Sequence, residues 1–170
     1  MIHHMKRWHK YLKENKDSKY VAKVVLFIGS KILFLVSAAR PFKGNLDLPG
    51  GHLKHGEDLI NGLRRETKEE TNLDIGDPAK IGQEDNIVFY YGNIASPKLK
   101  NIKLSDEHSD FKLLTPKEVQ EGNYPITPSF LKMILRANDL KNKNQPDSID
   151  LIQSTIFFSI LLLLVKGLYS

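Results

Sequence analysis

The sequence predicts one domain of the α/β or α+β class, and three observations carry that expectation. Its 170 residues, 41% of them hydrophobic and 26% charged, suffice for a single domain with a real core. Runs rich in β-branched and aromatic residues lie both before and after one helical pattern. That helix, in turn, is crowded with carboxylates along one side.

The first element is a hairpin. Val21–Ile28 and Lys31–Ser37 have strand composition, and Gly29-Ser30 between them suits a two-residue turn. Both runs are almost continuously apolar, which predicts burial on two faces. Residues 38–45 form a loop carrying Arg40, Pro41, Lys43 and Gly44, and Leu46-Asp47-Leu48 is a short strand running into Pro49-Gly50-Gly51. The helix spans about residues 58–71. Glu57 or Asp58 stands at its start, where a negative side chain opposes the positive helix end. Ile60, Leu63 and Thr67 make its buried stripe, and Gly62 permits close backbone approach. Residues 80–82, 86–94 and 110–114 read as strands, and residues 116–120 as a short helical turn capped by Thr115. Thr127-Pro128 opens a helix to about Leu140, with proline in the first turn, where its missing N–H is not needed. Residues 141–147 read as a polar linker, and no internal repeat is present.

The chemistry concentrates in residues 51–73, GHLKHGEDLINGLRRETKEETNL. Glu66, Glu69 and Glu70 stand at i, i+3 and i+4, within about 100° of helix arc. Two unit charges ~6 Å apart repel by roughly 3 kcal/mol at an effective dielectric of ~20. Arg64 and Arg65 are expected on other sides of the helix, leaving that repulsion for a bound cation to relieve. Hard cations such as Mg²⁺ take carboxylate and carbonyl oxygens together with substrate phosphates. A solvated, charge-laced helix explains neither the Pro-Gly-Gly lead-in nor the position of Glu57.

These residues resemble the Nudix hydrolase signature, G-x5-E-x7-R-E-U-x-E-E-x-G-U with U a bulky apolar residue. Gly51, Glu57, Arg65-Glu66, Glu69-Glu70 and Leu73 fall at its spacing. Thr67 replaces an apolar residue and Asn72 replaces glycine. Neither change removes a charge, and asparagine tolerates the left-handed conformation that ends a helix. The resemblance implies an α/β/α sandwich with a mixed sheet over residues 1–143; residues 144–170, which it does not cover, read from their own composition as polar linker and C-terminal hydrophobic helix.

It also implies hydrolysis of a nucleoside diphosphate linked to another group, by water attack on phosphorus, with Mg²⁺ or Mn²⁺ as cofactor. Glu66 and Glu70 are expected to bind the metal, with Glu69 as a third or water-mediated ligand and the Gly50 carbonyl joining them. Glu57 is expected to orient the site through Arg65 or to position metal-bound water. The family often draws its base from a loop beyond this box. Glu107, in Ser105-Asp106-Glu107-His108, is the candidate, against a plain solvated glutamate. His52, His55 and His108 have no spacing that singles them out as ligands. Relatives that cleave diadenosine polyphosphates often carry a tyrosine past the box, and Tyr90 and Tyr91 lie 17 and 18 residues beyond Leu73. A base stacked there would gain ~1–3 kcal/mol, although strands favour aromatics without any ligand. Arg40 and Lys43 are candidate phosphate contacts.

Net charge is +5, which suits phosphorylated substrates, nucleic acid or an anionic membrane surface without choosing among them. There is no cysteine, which excludes disulfides, a thiolate nucleophile and zinc–thiolate clusters. No secretory signal is visible in the polar, basic first 19 residues. Two rival functions stand beside the hydrolase: an RNA pyrophosphohydrolase or decapping-type enzyme, for which no RNA-binding motif speaks, and a non-catalytic nucleotide-binding module. The tail, IDLIQSTIFFSILLLLV over residues 149–165, is apolar around most of a helix. It reads as a membrane anchor, a docked or dimer-forming helix, or a disordered tail. As an anchor, with basic residues between Lys132 and Lys143 before it, it would keep the domain cytoplasmic.

Overall fold

The structure is a computed structural model that describes residues 20–38, 42–94, 96–122 and 124–143, the side chains of 96–98 excepted. The sheet and the candidate site belong to the first of two compact units, Met1–Ala137, the second being Asn138–Ser170.

β1 (Val21–Ile28) and β2 (Lys31–Ser37) form the hairpin at the bounds the sequence predicts. All of β1 is buried, as two apolar faces require. β1 also pairs in parallel with β6 (Ile87–Ile94) along its whole length, and β6 pairs with β5 (Ala79–Glu84). β2 carries β7 (His108–Leu114) on its other side. The feature that matters for function is a fork. β1 and β2 pair only next to their turn, at Phe27↔Ile32 and Ile28↔Lys31. Beyond it they part, and β3 (Leu46–Asp47) follows β2 while β4 (Gly50–His52) follows β1. Among the described residues this makes a mixed seven-stranded sheet.

α1 (Leu59–Thr71) lies on one face. Leu63 packs with Ala22, Val24, Leu26, Val88 and Tyr90 in an apolar cluster. The Asp58 carboxylate caps the helix by accepting from the Ile60 and Asn61 N–H groups, and Asn72 ends it at φ 61°. Side chains alternate across a strand, so Phe89 points the other way. It meets Phe130 of α3 (Pro128–Lys143) edge to face. Between β7 and α3, α2 (Pro116–Glu121) starts at Thr115 with a reciprocal capping box to Glu118. The result is an α/β/α sandwich.

Three predicted bounds need correction, and two short elements were not predicted. Residues 141–143 continue α3 instead of opening a linker, with Lys141 and Lys143 in a last turn that favours cations. Residues 80–82 are the middle of a longer strand with an irregular register, and His108 and Ser109 extend β7. β4 and a 3-10 turn at Ser96–Asn101 have too little apolar patterning to read as elements. Among the described residues no helix is long and apolar enough to cross a membrane. The apolar tail and Arg40 lie outside the described residues.

Candidate functional site

The site forms where α1 crosses the fork. Gly50 and Gly51 let it close. A Cβ on Gly51 would sit 2.5 Å from Glu66 Oε2, and one on Gly50, at φ +119°, would collide with the Ala22 carbonyl oxygen. The space these glycines leave is filled by the helix carboxylates. The Gly50 N–H donates to Glu70 Oε2 at 2.8 Å. Glu70 is only 8% exposed, and burial pushes its carboxyl up to about 8, although Lys23 opposes the shift. Glu66, at 21% exposure, is raised by burial too, with Arg65 opposing and Glu69 and Glu107 adding to the rise. Glu69 is 60% exposed and stands at the rim.

Arg65 is not on another side of the helix from these groups. Its extended side chain returns along α1, donating to Glu66 Oε1 at 2.5 Å and lying 3.6 Å from Glu69. It also grips Glu57 through two bonds of 2.8 Å and reaches the His52 carbonyl. That paired grip holds the Glu57 carboxyl down at about 2. Arg65 thus offsets part of the repulsion that the helix spacing creates.

The inner side of the site holds residues the sequence does not single out. The Lys23 ammonium donates to Asp47 Oδ2 at 2.8 Å, to the Leu48 carbonyl at 3.0 Å and to the Gly50 carbonyl at 2.7 Å. The one advance signal is a lysine within an otherwise apolar strand. His108 lies against Glu70, Nε2 to Oε1 3.9 Å, and burial pushes it down, favouring the neutral ring. The loop before β7 is tied to the end of α1 by Lys103 N–H to Thr71 O and Ser105 N–H to Glu70 O. That tie brings exposed Glu107 close enough for its charge to act on Glu66.

The expected substrate contacts gather less well. Tyr90, 3% exposed, is part of the α1-facing core, where packing accounts for its ring without any ligand. Tyr91, on the opposite face, packs edge to face on Phe27. Lys43 is exposed in the loop before β3. His52 and His55 are exposed on the loop side of the box.

Comparison with known proteins decides the family. The model of the NUDIX domain matches residues 18–134, well over half the chain. The chain belongs to the Nudix family. It is a Nudix-type pyrophosphohydrolase, and solved structures share its fold. A MutT protein from Methanosarcina mazei Go1 is 24% identical, with a TM-score of 0.57, over 76% of this chain and 99% of that one. A C. elegans Ap4A hydrolase, solved as a binary complex, is 18% identical, with a TM-score of 0.59, over 73% and 98%. NrtR of Shewanella oneidensis, solved with a 27mer DNA, is 19% identical, with a TM-score of 0.57, over 74% of this chain and 63% of that one. Identities at this level speak for the fold alone.

A divalent cation, general in this family, can be tested against the donors present. Glu66, Glu70 and the neighbouring carbonyls are hard oxygen donors of the right kind. Among the described residues no three acidic or histidine side chains converge as a finished ion cage. Glu66 is engaged by Arg65 and Glu70 by the Gly50 N–H. Burial disfavours the ionised form of Glu70 for want of nearby positive charge, which an ion would supply. The residues fit such an ion.

Proposed function

We propose that this Nudix enzyme hydrolyses the pyrophosphate linkage of a nucleoside diphosphate joined to another group, by water attack on phosphorus, with Mg²⁺ or Mn²⁺ as cofactor. The observation that carries the proposal is the seating of Glu66 and Glu70 against Gly50-Gly51, one of them almost wholly buried. A structural helix gains nothing from that placement.

Glu66 and Glu70 would hold the ion, with Glu69 at the rim as a third or water-mediated contact. The ion, when bound, lowers the pKa of water and neutralises charge on the phosphates. Glu57 fixes the Arg65 guanidinium, and Arg65 in turn sets the Glu66 carboxylate. Glu107, exposed and near enough for its charge to act on Glu66, would take a proton from the attacking water. Lys43, exposed before β3, would contact the substrate phosphates, the role the sequence also suggests for Arg40. The Gly50 carbonyl, which would join the metal ligands, accepts from Lys23 Nζ at 2.7 Å.

A panel of nucleoside diphosphate derivatives, with diadenosine polyphosphates and triphosphorylated RNA included, tests the reading. Metal-dependent release of phosphorylated products from the small molecules is expected, with none when the ion is omitted. Turnover of RNA alone, steeply sensitive to salt, would replace this substrate class with the RNA-directed one. Tight nucleotide binding without turnover would make the protein a binding module.

A further inference from the structure

Packing accounts for the rings of Tyr90 and Tyr91, and the exposed aromatic ring lies elsewhere. Phe42 is 63% exposed, the most of any large apolar side chain among the described residues, and stands in the loop between β2 and β3. Exposure alone is ordinary, since single apolar side chains are common on protein surfaces. Phe42 differs in how its loop is built and where the loop is fastened.

The loop is closed at its root, where the Ser37 N–H donates to the Asn45 carbonyl at 3.1 Å and the Gly44 N–H to the Ser37 carbonyl at 2.8 Å. A turn follows Phe42: the Asn45 N–H donates to the Phe42 carbonyl at 2.9 Å, with Gly44 at φ +87°, a conformation that favours glycine. A ring with two rotatable bonds on a fixed backbone loses little entropy when a flat ligand settles on it. Both ends of the loop run into the site. Ser37 pairs with His108, and the Ala38 N–H donates to the Glu107 carbonyl at 2.9 Å. Beyond Asn45 the chain passes through β3 to Gly50-Gly51, against which Glu70 and Glu66 are seated. Lys43, next in sequence to Phe42, is exposed as well. An aromatic face beside a cation matches the two halves of a nucleotide, a flat base and anionic phosphates. We propose that Phe42 is the residue on which the nucleobase of the substrate stacks, a substrate-binding residue that sets the preference for nucleoside-bearing diphosphates over base-free ones. The proposal rests on the hydrolase reading above and adds the residue that holds the base.

Calorimetric binding of two inert probes, with Mg²⁺ present, tests it: the methylene analogue of ADP, and methylenediphosphonate, which lacks the nucleoside. Wild type should bind the ADP analogue more tightly. Phe42→Ala should weaken the ADP analogue about 5- to 150-fold, as loss of base–aromatic stacking does, and leave methylenediphosphonate within about twofold of wild type. Phe42→Leu, which keeps apolar bulk without a π face, should fall as alanine does, and Phe42→Trp should keep or raise the affinity. In turnover of the preferred substrate, the alanine variant should show a raised KM with kcat nearly unchanged. Should alanine fail to fold, the leucine and tryptophan variants decide in the same way. An equal loss of both probes would show only a disturbed loop, and full affinity in Phe42→Leu would show that bulk alone matters; either result overturns the proposal, as does unchanged affinity in Phe42→Ala. Wild type that hydrolyses its substrate yet binds both probes equally leaves the hydrolase reading standing and overturns the stacking. Wild type that neither binds nor hydrolyses defeats the hydrolase reading and the proposal with it.

Discussion

Two cations flank the acidic helix, and they stand in opposite circumstances. Arg65 works on the outer side, partly in solvent, gripping Glu57 and Glu66 through a rigid, planar fork of donors. Lys23 works on the inner side, buried at the parting of β1 and β2, with every donor committed to Asp47 and the backbone. The carboxylates divide accordingly. Glu66 has a cation bonded to it directly. Glu70 has a backbone N–H and a more distant lysine, and its carboxyl rises to about 8. The contrast teaches that burial, more than carboxylate crowding, leaves Glu70 short of positive charge. Glu70 is where a divalent ion has most to relieve.

The sharpest way to break that contrast is Glu70→Gln. It should lower turnover by about 10³-fold or more, since an ion stabilising transition-state charge contributes several kcal/mol and each 1.4 kcal/mol is about tenfold. The metal-free variant should be as stable as wild type or more so. A raised carboxyl pKa means the folded state resists ionisation, so this group's contribution to stability falls as pH rises from about 4.5 through about 8. Glutamine removes that slope. Near-native activity at limiting metal, or a large loss of metal-free stability at pH 8, would contradict the assignment. Glu107→Gln comes next: kcat should fall by about 10²–10⁴-fold with Mn²⁺ affinity nearly unchanged. A fall of less than about tenfold would return Glu107 to a solvated loop and leave Glu57 or Glu69 as the base.

The difference between the two sides also decides what could be read from the sequence. The outer side was legible because its members share one local stretch: Glu57, Arg65, Glu66 and Glu69 are set by loop length and helix period. The inner side was not, because Lys23 meets Asp47 and Gly50 across 24 and 27 residues, through a fork that strand propensities do not encode. The hairpin, the helix and its Asn72 terminus were legible from turn chemistry and apolar runs. β4 was hidden because Gly50-Gly51-His52 has no strand character of its own and forms through its partner β1. Tyr90 shows the same dependence on the sheet. Its offset from the box admits either a stacking ring or strand packing, and strand alternation turns it into the core.

Gly50→Ala sharpens the account of the fork. The new methyl would meet the Ala22 carbonyl at a backbone φ of +119°, so the variant should lose about 3 kcal/mol of stability. Chemical denaturation measures this, and a loss under about 1 kcal/mol would mean that the fork yields easily. Glu57→Gln is the smallest effect. It should cost about 1–2 kcal/mol at neutral pH through the lost bonds to Arg65. The Glu57 carboxyl is held at about 2, below its ordinary 4.5, so its contribution is complete above pH 4.5 and is lost as pH falls toward 2. The gap between wild type and variant in thermal unfolding should therefore close over that window, and a gap unchanged down to pH 2 would show that the Arg65 grip is not what lowers it.

The central claim, water attack on phosphorus at the Glu66–Glu70 site, is tested most directly by turnover in water enriched with heavy oxygen, with products weighed by mass spectrometry. The account predicts one heavy oxygen in a phosphate-bearing product for each bond cleaved, in wild type with the divalent ion present, and no product from Glu70→Gln. Heavy oxygen in a product that carries no phosphate, or undiminished labelling in Glu70→Gln, would contradict it.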